Sequence, residues 1–112
     1  MSISTHILDT SAGRPATRVD ARLCRFEFDA WTQLALAQTD SDGRIRALLP
    51  AETRMLPGLY RISFFTGAYF AALQQETLYP VIDITFTVRE GEQHYHIPLL
   101  LSANGFTTYR GT

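Results

Sequence analysis

Lysine is absent from the 112-residue chain, so all ten of its basic side chains are arginine. Guanidinium groups suit planar, forked contacts to oxygen-rich ligands better than ammonium groups do, although a genomic compositional bias explains the absence more simply. Neither sign of charge is in excess. Ten Arg against eleven Asp and Glu leave a formal charge of −1, which supplies no net field toward nucleic acid or an anionic membrane and points instead to a small ligand. Cysteine occurs once, at Cys24, which rules out an intrachain disulfide. Within Arg22-Leu23-Cys24-Arg25-Phe26 that thiol reads as a buried small hydrophobe rather than a nucleophile. No stretch approaches the ~20 apolar residues of a membrane span. Met1 to Thr10, which contain His6 and Asp9, hold no apolar run of signal-peptide length, so the expectation is a cytoplasmic protein. The last residues, Arg110-Gly111-Thr112, are not a Ser-Lys-Leu peroxisomal address.

Several chemistries lack their motifs as well. There is no Gly-x-Ser-x-Gly elbow, and Ser63 and Ser102 fall within strand patterns, so covalent serine catalysis has little support. Neither the Rossmann nor the P-loop glycine pattern occurs, which removes the usual grounds for a nucleotide cofactor. Internal repeats and low-complexity segments are also missing.

What is present is an ordinary globular composition, 46% hydrophobic and 19% charged, of a length that fits one domain over residues 1–112. The apolar residues recur mostly with a period of two, the mark of strands buried on one face, and Gly, Pro, Asp and Asn interrupt them at short intervals. Leu59 to Phe65 follows a Pro57-Gly58 turn and alternates Tyr60, Ile62 and Phe64 against Leu59, Arg61 and Ser63. Val81 to Val88 places Ile82, Ile84, Phe86 and Val88 on one side. Both strands are expected to be central. Val19, Ala21 and Leu23 share a phase that slips to Phe26 and Phe28, which predicts a bulge or bend. Leu34 to Gln38 and Ile45 to Leu49 flank Asp40-Ser41-Asp42-Gly43, which reads as a hairpin-type connection. The last long strand alternates Tyr95, Ile97, Leu99 and Leu101 with His94, His96, Pro98 and Leu100. Pro98 predicts an edge-like position there, or pairing only through carbonyl groups. Ala68 to Gln75, rich in helix formers, predicts one short helix. The whole reads as an all-β, two-sheet sandwich of about seven or eight strands.

Only three histidines occur, His6 near the start and His94 and His96 on one face of the late strand. With a carboxylate they can in principle bind zinc, but no third His lies at ligand spacing and the single Cys is distant, so no metal is expected. For His94 the bland reading, a surface or core-edge imidazole bonded to backbone, is preferred. His96 adjoins Ile97-Pro98-Leu99-Leu100-Leu101, where an unpaired imidazole is costly, so it needs a partner and is a candidate functional group.

Four segments, taken whole and in order, resemble the 5-hydroxyisourate hydrolases of the transthyretin-like family. They are Ser4-Thr5-His6-Ile7-Leu8-Asp9-Thr10 with Gly13-Arg14-Pro15-Ala16; Thr39-Asp40-Ser41-Asp42-Gly43-Arg44; Pro57-Gly58-Leu59-Tyr60-Arg61 through Phe65-Thr66-Gly67-Ala68-Tyr69-Phe70, with Tyr79-Pro80; and His94 through Ser102 leading to Thr108-Tyr109-Arg110-Gly111-Thr112. The last is the most specific, being similar to a family terminus that ends Tyr-Arg-Gly-Ser. Thr112 departs from that Ser by one methyl group and keeps the hydroxyl. Ala103-Asn104-Gly105-Phe106-Thr107 departs where Pro, Tyr and Ser are commoner, which affects loop shape more than chemistry.

The resemblance implies a transthyretin-like sandwich of eight strands with one short helix. It also implies a homotetramer, a dimer of dimers whose active sites lie in a channel between dimers. The implied activity is cofactor-free hydrolysis of 5-hydroxyisourate, an oxidised urate, by water attack at C6 and cleavage of the N1–C6 cyclic amide bond. The positions implied as catalytic are His6, Arg44 and His96; those implied to bind substrate are His6, Arg44, Tyr109, Arg110, Gly111 and Thr112. A His that titrates near neutrality suits a general base, and a fixed guanidinium suits both a clamp on urate-type oxygens and a stabiliser of the oxyanion. Tyr109 is expected to close the site, and Arg110 and the terminal carboxylate to fix the tail across a subunit interface. Taken locally, Arg44 in a turn is an ordinary solvated charge and Tyr109 ordinary packing; only the matched segments raise them. The competing expectation is a small-molecule carrier without catalysis, like the vertebrate transthyretins, which lack the terminal signature.

Overall fold

A computed structural model describes residues 2–49 and 53–112. The chain runs through β1 (Ser2–Asp9), β2 (Arg14–Pro15), β3 (Asp20–Glu27), β4 (Ala30–Gln38), β5 (Arg44–Ile45), β6 (Gly58–Phe64), α1 (Thr66–Ala72), β7 (Ile82–Val88), β8 (His94–Ser102) and β9 (Gly105–Thr108). Two sheets form, one ordered β2-β1-β8-β9 with β5 also on β1, the other β4-β3-β6-β7. The alternation anticipated from sequence is the cause. Ile3, Ile7, Tyr95, Ile97, Leu99 and Leu101 of the first sheet face Ala21, Leu23, Tyr60, Ile62, Phe64 and Ile82 of the second, and all are buried. Each such large side chain contributes about 1.5–3 kcal/mol when fully withdrawn from water.

Long-range pairing joins the two ends of the chain. β1 and β8 run parallel, Ser2 opposite His94, Ser4 opposite His96 and His6 opposite Pro98. The inward residues of β1 are Ile3, Thr5, Ile7 and Asp9, so Ser2, Ser4 and His6 stand on the outer face, beside His94, His96 and Pro98.

Some expectations change. The phase slip in β3 is a register shift between Leu23 and Cys24, and Cys24 is buried as expected. Phe28, however, lies beyond it in a two-residue turn with Asp29, both with positive φ, and is solvent-exposed. β6 is central, but β7 is an edge strand; alternation reports which face is buried and not how many neighbours a strand has. The Asp40 to Gly43 turn is no hairpin. It carries the chain from β4 in one sheet to β5 in the other, and β5 spans only Arg44–Ile45 because it pairs with Thr5 and His6 of β1. Pro98 sits inside an interior strand. The ladder to β9 ends at Leu99–Thr108 and resumes as a single His96–Gly111 bridge; between them the Pro98 carbonyl accepts from Thr108 Oγ1 at 2.7 Å. Carbonyl pairing was the second of the two arrangements expected for a residue with no N–H.

The helix begins at Thr66, two residues earlier than its composition suggests, because the following loop holds its start: Thr66 Oγ1 donates to the Tyr79 carbonyl at 2.7 Å and Gly67 N to that of Pro80 at 2.8 Å. Phe70 fills the core beneath it. Tyr69 reaches over to donate to Asp9 Oδ2 at 2.7 Å; burial, with Asp9 acting in the same direction, pushes that phenol up to about 12.

Candidate active site

The outer face of the first sheet opens into a pocket of about 680 Å³, whose lining includes Ser4, Arg44, His94, His96, Gly111 and Thr112. Three pieces of chain build it. Parallel pairing of β1 and β8 supplies the floor, where Ser4 Oγ and His96 Nδ1 lie 2.8 Å apart and Ser2 Oγ and His94 Nδ1 repeat the contact at 2.8 Å. The Asp40 to Arg44 turn supplies one wall. Asp40 Oδ1 accepts the backbone N–H groups of Asp42 and Arg44 at 2.8 and 3.0 Å, the Arg44 bond being the main reason its carboxyl lies below the ordinary range. Gly43 has φ +75°, and a Cβ there would strike the Ile7 carbonyl oxygen, so only glycine lets the turn dock on β1 through the Ile7 N–H to Gly43 carbonyl bond of 2.8 Å. Arg44 is thereby set opposite His6 in the β1–β5 register. Among the described residues no carboxylate lies within ion-pairing distance of Arg44.

The tail supplies the other wall. Gly111 N donates to the His96 carbonyl at 2.8 Å, and a Cβ on Gly111 would collide with Cδ2 of the His96 ring and crowd Pro98. Arg110 holds the tail down within its own chain: it lies 2.7 Å from a Glu92 carboxylate oxygen, donates to the His94 carbonyl at 3.0 Å and sits 4.5 Å from the Tyr95 ring centroid. Electrostatically, His96 is shifted below its ordinary value near 6.5 by burial first, and then by the positive charges of Arg44 and His6. Its imidazole is therefore neutral at neutral pH and able to accept a proton.

Of the residues singled out from sequence, the structure gathers Arg44, His96, Arg110, Gly111 and Thr112 around one pocket. His6 stands on the same outer face, close enough to His96 for its charge to be felt there. Tyr109 is elsewhere. It is 56% exposed and lines a second cleft with Tyr95, Ile97, Arg110 and the β7 residues from Ile84 to Thr87. His94 is exposed, as the bland reading supposed, but its partner is a serine hydroxyl rather than backbone, and it lines the pocket. Sequence reasoning missed Ser2, Ser4 and Arg46. A period of two back from His6 puts both serines on its face, but what they face depends on a pairing that spans 92 residues. Among the described residues no cluster of three or more His, Cys, Asp or Glu is placed to hold a metal ion, and no helix is long and apolar enough to cross a membrane.

A two-sheet sandwich whose first and penultimate strands run parallel is a fold that also occurs in known proteins. The model of the HIUase/Transthyretin family matches residues 3–111, and the chain belongs to that family. A 5-hydroxyisourate hydrolase of Salmonella typhimurium is 46% identical over 110 residues, covering 98% of this chain and 80% of the relative. Among solved structures, the Klebsiella pneumoniae 5-hydroxyisourate hydrolase superposes with a TM-score of 0.87 at 34% identity, covering 100% of both chains. Sea bream transthyretin in complex with thyroxine gives 0.92 at 32% identity, covering 100% of this chain and 96% of that one. The transthyretin-like sandwich expected from sequence is the fold observed.

Proposed function

We propose that the protein is a 5-hydroxyisourate hydrolase, converting 5-hydroxyisourate to 2-oxo-4-hydroxy-4-carboxy-5-ureidoimidazoline in urate breakdown. The observation that carries this reading is the pocket itself, where a neutral, accessible imidazole and a guanidinium with no carboxylate partner among the described residues share one cavity. Water attacks the C6 carbonyl as His96 takes its proton. The N1–C6 bond of the cyclic amide then breaks, N1 leaves with a proton, and the water oxygen stays in the new carboxylate. The step is redox-neutral, so a base and an oxyanion partner suffice and no cofactor is invoked. Arg44 supplies the fixed positive charge and a fork of donors to the carbonyl oxygens, and its charge is most effective against the developing oxyanion. His6, beside Arg44 and within electrostatic reach of His96, orients substrate and holds it with Arg44. Arg110, Gly111 and Thr112 close the pocket wall, and Tyr109 secures the tail from the far cleft.

We further infer that the enzyme works in the cytoplasm as a homotetramer, a dimer of dimers. The half-buried Leu8 and Leu100 continue the outer face beyond the imidazoles, and a second copy would cover both them and the open side of the pocket. Light scattering checks the assembly, and a stable, fully active monomer would contradict it. Backbone similarity does not separate hydrolase from carrier, since both kinds of relative superpose well and fold does not fix function. Activity does. Purified protein should speed the ultraviolet absorbance decay of freshly made 5-hydroxyisourate in the presence of a chelator. Decay no faster than in buffer would overturn the hydrolase reading.

A further inference from the structure

Imidazole is a base only at the nitrogen that carries no proton, so the side chain that holds one ring nitrogen decides what the other can do. In His96 the two edges of the ring are both occupied. The Nδ1 edge faces β1, where Ser4 Oγ lies 2.8 Å away. The Cδ2 edge faces the tail, where Gly111 packs so close that even a methyl group would collide. Covalent geometry then leaves Nε2 at the far end of the ring, pointing away from the strand, and among the described residues it has no hydrogen-bond partner. Ser4 is placed with little freedom, because it is the direct register partner of His96 in an interior parallel ladder. The neighbouring ladder rungs are filled by the buried Ile3–Tyr95 and Thr5–Ile97 pairs.

We infer that Ser4 is a positioning residue whose hydroxyl oxygen accepts the Nδ1–H of His96, leaving Nε2 bare toward the pocket as the atom that takes a proton from water. This rests on the hydrolase reading above and deepens it. A hydroxyl can bond either tautomer, since it both donates and accepts; the proposal is that it acts as acceptor here. When His96 becomes an imidazolium in the reaction, Nδ1–H persists and the same oxygen still accepts it. The bond therefore need not be remade as the base takes its proton. If the hydroxyl donated instead, Nε2 would already carry hydrogen and could not act as a base.

Two measurements test this. In protein labelled with ¹⁵N at histidine, above the titration range of His96, its Nδ1 should give the protonated, pyrrole-type shift and its Nε2 the bare, pyridine-type shift. Ser4→Ala should lose roughly 10–100-fold in kcat, the scale seen when the partner that orients a metal-bound histidine is removed, with KM little changed and the ¹⁵N pattern shifted toward a tautomer mixture. Ser4→Thr, which keeps the hydroxyl on a strand that tolerates β-branching, should recover most of the loss. A pyrrole-type Nε2 in the wild-type protein overturns the inference, as does a folded Ser4→Ala protein with full kcat. Should Ser4→Ala fail to fold, the wild-type ¹⁵N pattern decides. An active wild-type protein indifferent to Ser4→Ala sinks this inference and leaves the hydrolase reading standing, whereas an inactive wild-type protein removes both.

Discussion

The outer faces of the two sheets both carry arginine beside aromatic or heteroaromatic rings, and the difference between them shows what leaves a surface charge available to a ligand. On the β4-β3-β6-β7 face, Arg22 lies 5.4 Å from the Phe65 ring centroid and Arg61 4.2 Å from that of Trp31. These guanidinium groups lie close to apolar rings and cover them, a stabilising use of charge. On the β2-β1-β8-β9 face, Arg44 has no carboxylate partner among the described residues and lines a pocket with two imidazoles, one of them shifted toward its neutral form by burial first and then by the arginine's field. There the charge remains available to a ligand. Arginine count cannot tell the two faces apart. Which backbone turn presents each side chain, and which ring it meets, does.

Substitutions should widen this contrast on one face and barely register on the other. The largest effect is expected for His96→Asn, which keeps some hydrogen bonding but removes the proton acceptor, and should cost ~10²–10⁴ in kcat as measured by steady-state kinetics. If that variant keeps its kcat as a folded protein while His6→Asn abolishes it, the base is His6. Gly111→Ala should follow, because the added methyl must displace the His96 ring; a misplacement of ~1 Å can cost ~10²-fold. A crystal structure of the variant would show the ring moved. Arg44→Lys keeps the charge and loses the fork. With bonds to charged groups worth about 1.5–3 kcal/mol, roughly 10–100-fold should go from kcat/KM. On the opposite face Arg61→Ala should leave kinetics alone and cost about 0.5–1 kcal/mol of stability in a denaturant titration.

A pH profile sharpens the same contrast. Burial and the charges of Arg44 and His6 all disfavour the imidazolium form of His96. The acid limb of kcat/KM should therefore fall at a pH below the ordinary histidine value near 6.5, leaving activity flat through neutrality. Replacing Arg44 with Gln removes one of those charges, so the limb should move to higher pH. A limb that stays put would mean that another group sets it.

Much of the sandwich was legible because a side-chain period of two records burial directly. Tyr60, Ile62 and Phe64, or Tyr95, Ile97 and Leu99, declare their inward face without reference to any neighbour. Neighbours are what alternation omits. That β7 would be an edge, and that Asp40 to Arg44 would cross between sheets, depends on pairings chosen by the whole chain. So does Pro98's place inside a ladder with Thr108 as its donor. For the site, His6, Arg44, His96 and the tail could be named only because whole segments resembled a family. Composition alone stopped at scattered His and Arg. Ser4 was invisible for a physical reason: a serine two residues before a histidine on a strand shares its face, and nothing local says that another histidine, 92 positions later, will stand beside it. Tyr109 shows the converse, a residue of the terminal signature that the fold turns toward a different cleft.

The most direct single measurement follows 5-hydroxyisourate decay by ultraviolet absorbance with equal amounts of wild-type, His96→Asn and Arg61→Ala protein, each confirmed folded beforehand. The imidazole-bearing face as the seat of hydrolysis predicts that Arg61→Ala tracks the wild-type curve while His96→Asn falls ~10²–10⁴-fold toward the spontaneous rate. A His96→Asn curve that coincides with the wild type, or an Arg61→Ala curve that collapses to the spontaneous rate, would contradict it.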